Sequence, residues 1–154
     1  MRPFFTKAPM NVDVETPPEL KSAIYELFAI DHDPCPLHGL RDGPDGLDRA
    51  IPWGRNNFVN PPYDKTMIPF VGRIVEELAK GNSSYLLVPF RPGYRYYDQI
   101  FRHCTGIVPV ADHVTFVGYP KPYMYPIVLF LFEAGKPPAF EFMQSGKIKM
   151  WRLK

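Results

Sequence analysis

Proline is the residue that most restricts the folds open to this chain, because 19 of its 154 residues are prolines. A proline inside a helix or a central strand removes a backbone hydrogen bond, so long regular elements are not expected where prolines are frequent. The prolines are distributed from Pro3 to Pro138, and the chain also contains 12 Phe, 9 Tyr and 2 Trp residues. The sequence therefore predicts a turn-rich chain of short helices and strands, with low helix content.

One globular domain is expected from the length and composition. The chain is 45% hydrophobic, which is enough for one core, and its length is typical of a single domain. Its formal net charge of +2 is too small to indicate a nucleic-acid partner by bulk charge, although it does not exclude a local basic groove. Because Cys35 and Cys104 are the only cysteines, we expect reduced thiols rather than a disulfide framework.

Neither a membrane span nor a secretory signal is expected. The longest uncharged apolar run, Tyr123 to Phe132, is about half the ~20 residues that a transmembrane helix needs, and it contains a proline. Residues 1–7 lack the apolar stretch of ~7 to 15 residues that marks a signal peptide. These observations favour an intracellular protein.

The pattern of apolar residues predicts an extended arm over residues 1–15 and a compact α/β domain over residues 16–154. In chain order, the predicted elements are a helix over 17–28, a strand over 57–60, a helix over 68–79, a strand over 84–90, a helix over 94–103, a strand over 108–117, a strand over 127–132 and a hairpin around Gly146. Strands that alternate with helices favour a mostly parallel sheet, and the consecutive late strands favour an antiparallel edge.

The first helix has a typical start signal in the sequence Thr16-Pro-Pro-Glu19. In this interpretation Thr16 caps the helix, Pro17 is its first residue and Glu19 reaches back to the cap. The long stretch between this helix and the next strand is rich in Asp, Gly and Pro, which is typical of a loop. A functional loop is the usual reason for such a length.

The segment Asn60-Pro61-Pro62-Tyr63 carries the most specific chemistry. It follows a short apolar strand and precedes an amphipathic helix, and ligands of open α/β sheets lie beyond the carboxyl ends of the strands. Two prolines fix the backbone and remove two donors, which leaves carbonyl oxygens and the Asn60 side chain as acceptors and Tyr63 as a flat face. Such a loop suits a planar group with an exocyclic amine, because acceptors on both N–H bonds favour attack by its lone pair. The alternative is an ordinary turn at the end of a strand.

A wider set of motifs resembles a known family. In order, they are Thr16-Pro-Pro-Glu-Leu20, Ile30-Asp-His-Asp33-Pro-Cys35, Asp45-Gly-Leu47 with Trp53, Asn60-Pro-Pro-Tyr63 and Leu86-Leu-Val-Pro89. This set is similar to that of the phage-type, Dam-like DNA N6-adenine methyltransferases, and the resemblance covers residues 16–132. It implies a Rossmann-like methyltransferase fold and methyl transfer from S-adenosylmethionine to the N6 amine of adenine in DNA. It also implies a phage or viral protein in the host cytoplasm or nucleus.

The resemblance also implies roles for individual residues. Asn60 and the Pro61 carbonyl would hold the adenine amine within a loop completed by Pro62, and Tyr63 would stack on the base. The positions implied to bind S-adenosylmethionine are Thr16, Pro17, Asp33, Cys35 and Asp45. The alternative for Asp33 is a carboxylate that closes a turn. A base within a duplex cannot reach such a loop, so duplex DNA would require base flipping.

Arginines and tyrosines that follow the strand ending at Phe90 are predicted to contact nucleic acid. Arg91, Tyr94 and Arg95 combine guanidinium groups with aromatic rings, which suit a phosphate backbone with unstacked bases. The alternative is a solvated helix face. Sequence specificity would come from loops such as residues 118–125.

We do not expect a metal, because the methyl group of a sulfonium is already activated. A zinc site would combine Cys35 and His38 with His103 and Cys104, although this spacing lacks the two tight pairs of ordinary zinc sites.

Two other functions stay open. A viral protein with this fold could lack catalysis and serve a structural or nucleic-acid-binding role in an assembly with other viral proteins. The second is methylation of another acceptor, because enzymes with similar loops act on RNA adenines and on protein glutamine amides.

Overall fold

The structure is a computed structural model that describes residues 15–36, 46–145 and 148–154. The predicted arm over residues 1–15 therefore lies outside the described residues except for Glu15, and so does Asp45. Within the described ranges, no helix is both long and apolar enough to cross a membrane.

The described residues form three helices and six strands. In chain order these are α1 (Pro18–Phe28), β1 (Asn56–Val59), α2 (Met67–Ala79), β2 (Ser83–Pro89), α3 (Tyr97–His103), β3 (Gly106–Pro109), β4 (Ile127–Phe132), β5 (Phe140–Ser145) and β6 (Ile148–Leu153). The protein is thus mixed α/β, as the sequence predicts. The predicted hairpin around Gly146 is confirmed by the antiparallel pairing of β5 with β6.

Four strands form a mixed sheet in the order β1-β2-β4-β3. The strand β1 pairs in parallel with β2, whereas β4 pairs antiparallel with both β2 and β3. The expectation of a mostly parallel sheet is therefore wrong, because two of the three pairings are antiparallel. The predicted antiparallel edge is present as the pairing of the edge strand β3 with β4. Residues 110–126 between β3 and β4 contain no helix that could make a parallel crossover. The strand β4 lies between β2 and β3, and nearly all of its apolar side chains are buried.

Both faces of the sheet are covered, because successive strand residues point to opposite sides. One face packs against α2 and α3 through strand residues Val59, Leu86, Val88, Val128, Phe130 and Phe132. The other face packs against α1 and the loop after β3 through Phe58, Tyr85, Leu87, Ile127 and Leu129. This three-layer arrangement explains why β2 and β4 have nearly continuous apolar sequences rather than alternating ones.

The predicted helix over residues 17–28 is confirmed as α1, but its predicted cap is wrong. Pro17 is the N-cap residue, and no side-chain hydrogen bond caps the helix. The hydroxyl of Thr16 is instead 3.0 Å from the side-chain nitrogen of Asn60, from which it accepts a hydrogen bond. The Thr16 hydroxyl thus contacts the residue that follows β1 instead of forming the local cap that the sequence pattern suggests.

The predicted strand over residues 108–117 is also wrong in position. The strand β3 is Gly106–Pro109, and just beyond it the Val110 N–H donates to the Ile127 carbonyl of β4 over 3.0 Å. Val114 and Phe116 lie further along and are buried, but they pack on the sheet face rather than pairing with a strand. The alternating pattern therefore reflects burial of a loop.

Candidate functional site

The predicted site residues meet at one edge of the sheet. The parallel strands β1 and β2 both end there, so that Asn60 and Phe90 follow the strand ends. Because β4 is antiparallel, it begins at this same edge, where Ile127 pairs with Pro89. His32 forms a parallel bridge with Asn57 of β1, so the chain runs alongside β1 through Asp33 toward this edge. This is the edge at which ligands of open α/β sheets usually bind.

The orientation of the Asn60 side chain is set by Thr16. Asn60 Nδ2 donates to Thr16 Oγ1 over 3.0 Å, and Thr16 is 5% exposed. Asn60 Oδ1 is buried as well. With the nitrogen bound to Thr16, the oxygen of the amide is presented as an acceptor. The structure thus places a predicted cofactor residue in direct contact with a predicted catalytic residue.

The rest of the N-P-P-Y loop is packed into the body of the protein. Pro61 and Pro62 are buried, and Tyr63 is half-buried. The Tyr63 ring lies edge-on to Phe116 and Tyr123, with ring centres 6.0 and 5.8 Å away. Burial, followed by the neighbouring tyrosines, raises the pKa of Tyr63 well above its usual value, so its hydroxyl stays protonated. Tyr63 is therefore a fixed aromatic wall of the site.

Asp33 is engaged by the chain on two sides. Its Oδ1 accepts the Cys35 backbone N–H at 2.9 Å, and its Oδ2 is 3.4 Å from Lys21 Nζ of α1. Burial, with the charge of Asp33 and a hydrogen bond to it, raises the pKa of Tyr25 to about 12. These contacts make Asp33 the acceptor that closes a turn, as the alternative interpretation has it, and they join this turn to α1. Pro17 is partly buried at the start of the same helix.

The segment around Gly46 packs on the Asp33 turn. Gly46 accepts a hydrogen bond of 2.8 Å from the indole nitrogen of Trp53, which is buried. A Cβ atom at Gly46 would overlap the carbonyl of Pro34, so only glycine permits this close approach. The described part of the predicted Asp45-Gly-Leu47 motif thus lies against the predicted cofactor turn.

The cysteines are buried in the core. Cys35 is 7% exposed and packs in the same apolar cluster as Trp53 and Cys104. Burial raises the pKa of the Cys104 thiol to about 12, which makes it unreactive. Across the described ranges, the structure shows no group of three or more His, Cys, Asp or Glu residues that could hold a metal. His38, which belongs to the alternative zinc interpretation, lies outside those ranges.

The predicted nucleic-acid residues separate into two groups. Arg91 and Tyr94 line an open pocket of about 350 Å³, whereas Arg95 is an exposed residue that does not line it. Phe90 and Tyr125 also line this pocket; Tyr125 ends the loop 118–125 to which the sequence assigns nucleic-acid specificity, whereas the sequence assigns no role to Phe90. The tyrosine-rich loop before β4 was the available signal for Tyr125, but nothing in its spacing shows that it meets Arg91.

Comparison with known proteins adds no family to these observations. No protein-family model matches the chain, and no curated protein matches it significantly. The contacts at the carboxyl edge of the sheet therefore carry the functional argument.

Proposed function

We propose that this protein transfers a methyl group from S-adenosylmethionine to the N6 amine of adenine in DNA. The observation that carries the proposal is the Asn60 amide, which follows the parallel strand β1 and is oriented by Thr16. An acceptor fixed before the substrate arrives needs no reorganisation during the reaction, which is the main source of electrostatic catalysis.

The chain's own acceptors explain how the amine would be activated. Asn60 Oδ1 and the Pro61 carbonyl accept the two N–H bonds of the amine, which favours a pyramidal nitrogen with an available lone pair. When bound, S-adenosylmethionine would supply an electrophilic methyl carbon, with sulfur as the leaving group that keeps the electron pair of the C–S bond. The amine loses its proton after transfer, so the protein needs no strong base.

The residues around Asp33 fit the cofactor in donor and acceptor type. An ionised carboxylate has about four lone-pair sites, so Asp33 can accept a further hydrogen bond from a hydroxyl or amine group of the cofactor. Its side chain is 16% exposed, which leaves it within reach of a ligand. Thr16 and Pro17 lie on the adjoining segment, whereas Cys35 points into the core cluster and would support the turn from behind.

Replacing Asp33 with Asn tests the cofactor site without a known acceptor. Calorimetric titration with S-adenosylhomocysteine should show micromolar binding to the wild type. The Asp33→Asn variant should bind about tenfold more weakly or worse, because it loses charge-assisted hydrogen bonds while it keeps an acceptor for Cys35.

Asp48→Asn is the matched control for that titration. Asp48 closes a turn of the same form by accepting the Ala50 N–H at 2.9 Å, but it is exposed. This variant should bind S-adenosylhomocysteine as the wild type does. Absence of binding to the folded wild type at millimolar ligand contradicts the proposed methyl transfer.

Thr16→Val separates two roles of the threonine. If Thr16 orients Asn60, loss of its hydroxyl should lower kcat about tenfold, the effect of one hydrogen bond, and leave S-adenosylhomocysteine affinity unchanged. Thr16→Ser should restore the rate, because it restores the hydroxyl. An unchanged kcat with weaker ligand binding would assign Thr16 to the cofactor alone.

A second candidate function is nucleic-acid binding without methyl transfer. The contacts of Asp33 with Lys21 and the Cys35 N–H favour it, since they occupy part of the carboxylate within the protein itself. The same titration separates the two functions, because only the methyltransferase needs a working cofactor site. Parallel assays with RNA adenine would then test the acceptor.

A further inference from the structure

The open pocket that Arg91 and Tyr94 line lies in the loop that follows β2, at the sheet edge where Asn60 follows β1. It is lined by Phe90, Arg91, Pro92, Gly93, Tyr94 and Tyr125. Its volume of about 350 Å³ lies at the lower end of the range for small-ligand pockets. Phe90 and Tyr94 are 37% and 45% exposed, which is unusual for large aromatic side chains beside a packed core. The pocket thus presents accessible aromatic surface.

Arg91 is held in a fixed position within this pocket. Its guanidinium lies between the rings of Tyr94 and Tyr125, at 4.5 and 4.3 Å from their centres. Its backbone N–H donates over 3.0 Å to the hydroxyl of the buried Tyr97, which in turn donates to the Pro89 carbonyl. Stacking between two rings limits the freedom of the guanidinium and leaves its edge to form hydrogen bonds.

Arg91 carries a positive charge into the pocket, and within residues 15–36, 46–145 and 148–154 no carboxylate forms an ion pair with it. Arg95 and Lys121 are exposed on the segments that flank the pocket and add positive charge. A planar guanidinium is well suited to bind a phosphate through two hydrogen bonds.

Aromatic contacts connect this pocket to the Asn60 loop. Tyr125 is 6.1 Å from Tyr123, and Tyr123 is 5.8 Å from Tyr63, measured between ring centres. On the other side, Tyr94 stacks on Tyr96 with ring centres 5.6 Å apart. Two ring contacts therefore connect Tyr125 of the pocket to Tyr63 of the Asn60 loop.

We infer that the pocket of Phe90, Arg91, Tyr94 and Tyr125 binds the unpaired nucleotide next to the acceptor base in a single-stranded nucleic acid. Arg91, which Tyr94 and Tyr125 hold in place, binds its phosphate, and the exposed faces of the Phe90 ring stack on its base. The inference rests on the proposed function for the identity of the neighbouring acceptor base. Bases in a duplex are already stacked on each other, so these faces are useful only to an unpaired strand.

Fluorescence anisotropy with the full chain and labelled oligothymidylate tests this site. That strand contains no adenine, so its binding does not depend on the acceptor site. Arg91→Gln should weaken binding about tenfold. It should also reduce the slope of log affinity against log salt concentration by about one, the value for one lost phosphate contact. Tyr94→Ala should weaken binding by a similar factor, because it removes a ring that holds the Arg91 guanidinium, whereas Tyr94→Phe should keep wild-type affinity because the ring remains.

Arg152→Gln is the control for loss of charge, since Arg152 is an exposed arginine paired with Glu141 on the β5–β6 hairpin. It should bind the strand as the wild type does. Oligouridylate in place of oligothymidylate shows whether the strand is RNA or DNA. The inference is overturned if Arg91→Gln binds like the wild type, if a duplex of the same length binds more tightly, or if no single strand binds.

The result also separates this inference from the proposed function. Strand binding that is lost in Arg91→Gln supports the pocket whether or not the protein binds S-adenosylhomocysteine. A protein that binds the strand in this way but does not bind S-adenosylhomocysteine would be the second candidate, a nucleic-acid-binding protein without methyl transfer.

Discussion

Asn60→Ala should lower methyl transfer to adenine by about 10² to 10³-fold while it leaves S-adenosylhomocysteine affinity nearly unchanged. The substitution removes the side-chain acceptor that follows β1, but it leaves the Asp33 turn and the backbone of the two prolines in place. The effect should appear in kcat, because the acceptor contributes most when the amine becomes pyramidal. Single-turnover transfer from labelled S-adenosylmethionine measures it directly.

Asn56→Ala provides a matched control on the same strand. The Asn56 side chain donates to the Ala29 carbonyl at the start of β1, at the opposite end of the strand from Asn60. Its removal should leave the transfer rate unchanged. A rate for Asn60→Ala equal to that of Asn56→Ala would show that Asn60 takes no part in the reaction.

The elements of this fold were predictable where local pattern and burial agree. The helical period that ends near Gly81 predicts α2, and the apolar run Ile127–Phe132 coincides with β4. The antiparallel pairing of β4 with β3 was predictable, because no helix separates these consecutive strands. The antiparallel pairing of β4 with β2 was not, because a strand buried on both faces has the same apolar pattern in either direction. Sheet order depends on which connection carries a helix, and the segment before β4 has none.

Long-range side-chain contacts in the candidate site were not predictable from the sequence either. The sequence places Asn60 after a strand, and the structure agrees. The contact between Asn60 and Thr16 joins residues 44 positions apart, and no local pattern indicates it. The sequence pattern at Thr16 predicts a helix cap, because a hydroxyl beside a helix start can cap the helix or bind another segment. In the folded chain the hydroxyl binds Asn60, a contact that depends on long-range packing.

A second large effect is expected in stability, at a buried ion pair on α2. Arg73 and Glu77 are 4% and 2% exposed, and Arg73 Nε lies 2.8 Å from Glu77 Oε1. Arg73 also donates to the Ile51 carbonyl and lies over the Trp53 ring, 5.3 Å from its centre. The pair therefore fastens the loop beside the Asp33 turn to the helix that follows Asn60.

Glu77→Ala should lower the free energy of unfolding by about 3 to 5 kcal/mol, because it leaves a buried guanidinium without its partner. Such a loss is a large fraction of the roughly 5 to 15 kcal/mol typical of a domain, so partial unfolding near physiological temperature is expected. Denaturant titration measures the change. Glu76→Ala is the control on the same helix, since its ion pair with Arg49 is exposed and should contribute little.

The stability contributed by Glu77 should also depend on pH. Burial raises the pKa of Glu77, but hydrogen bonds from Asn82, Lys80 and Arg73 outweigh it and hold the pKa below its ordinary 4.5. A carboxyl group whose pKa is lower in the folded state stabilises the fold fully above its unfolded pKa and loses this contribution as the pH falls. The difference in unfolding free energy between wild type and Glu77→Gln should therefore be largest above pH 4.5 and shrink below it. A difference that is constant across this range would mean that the ionised carboxylate is not what holds Arg73 and its loop against α2.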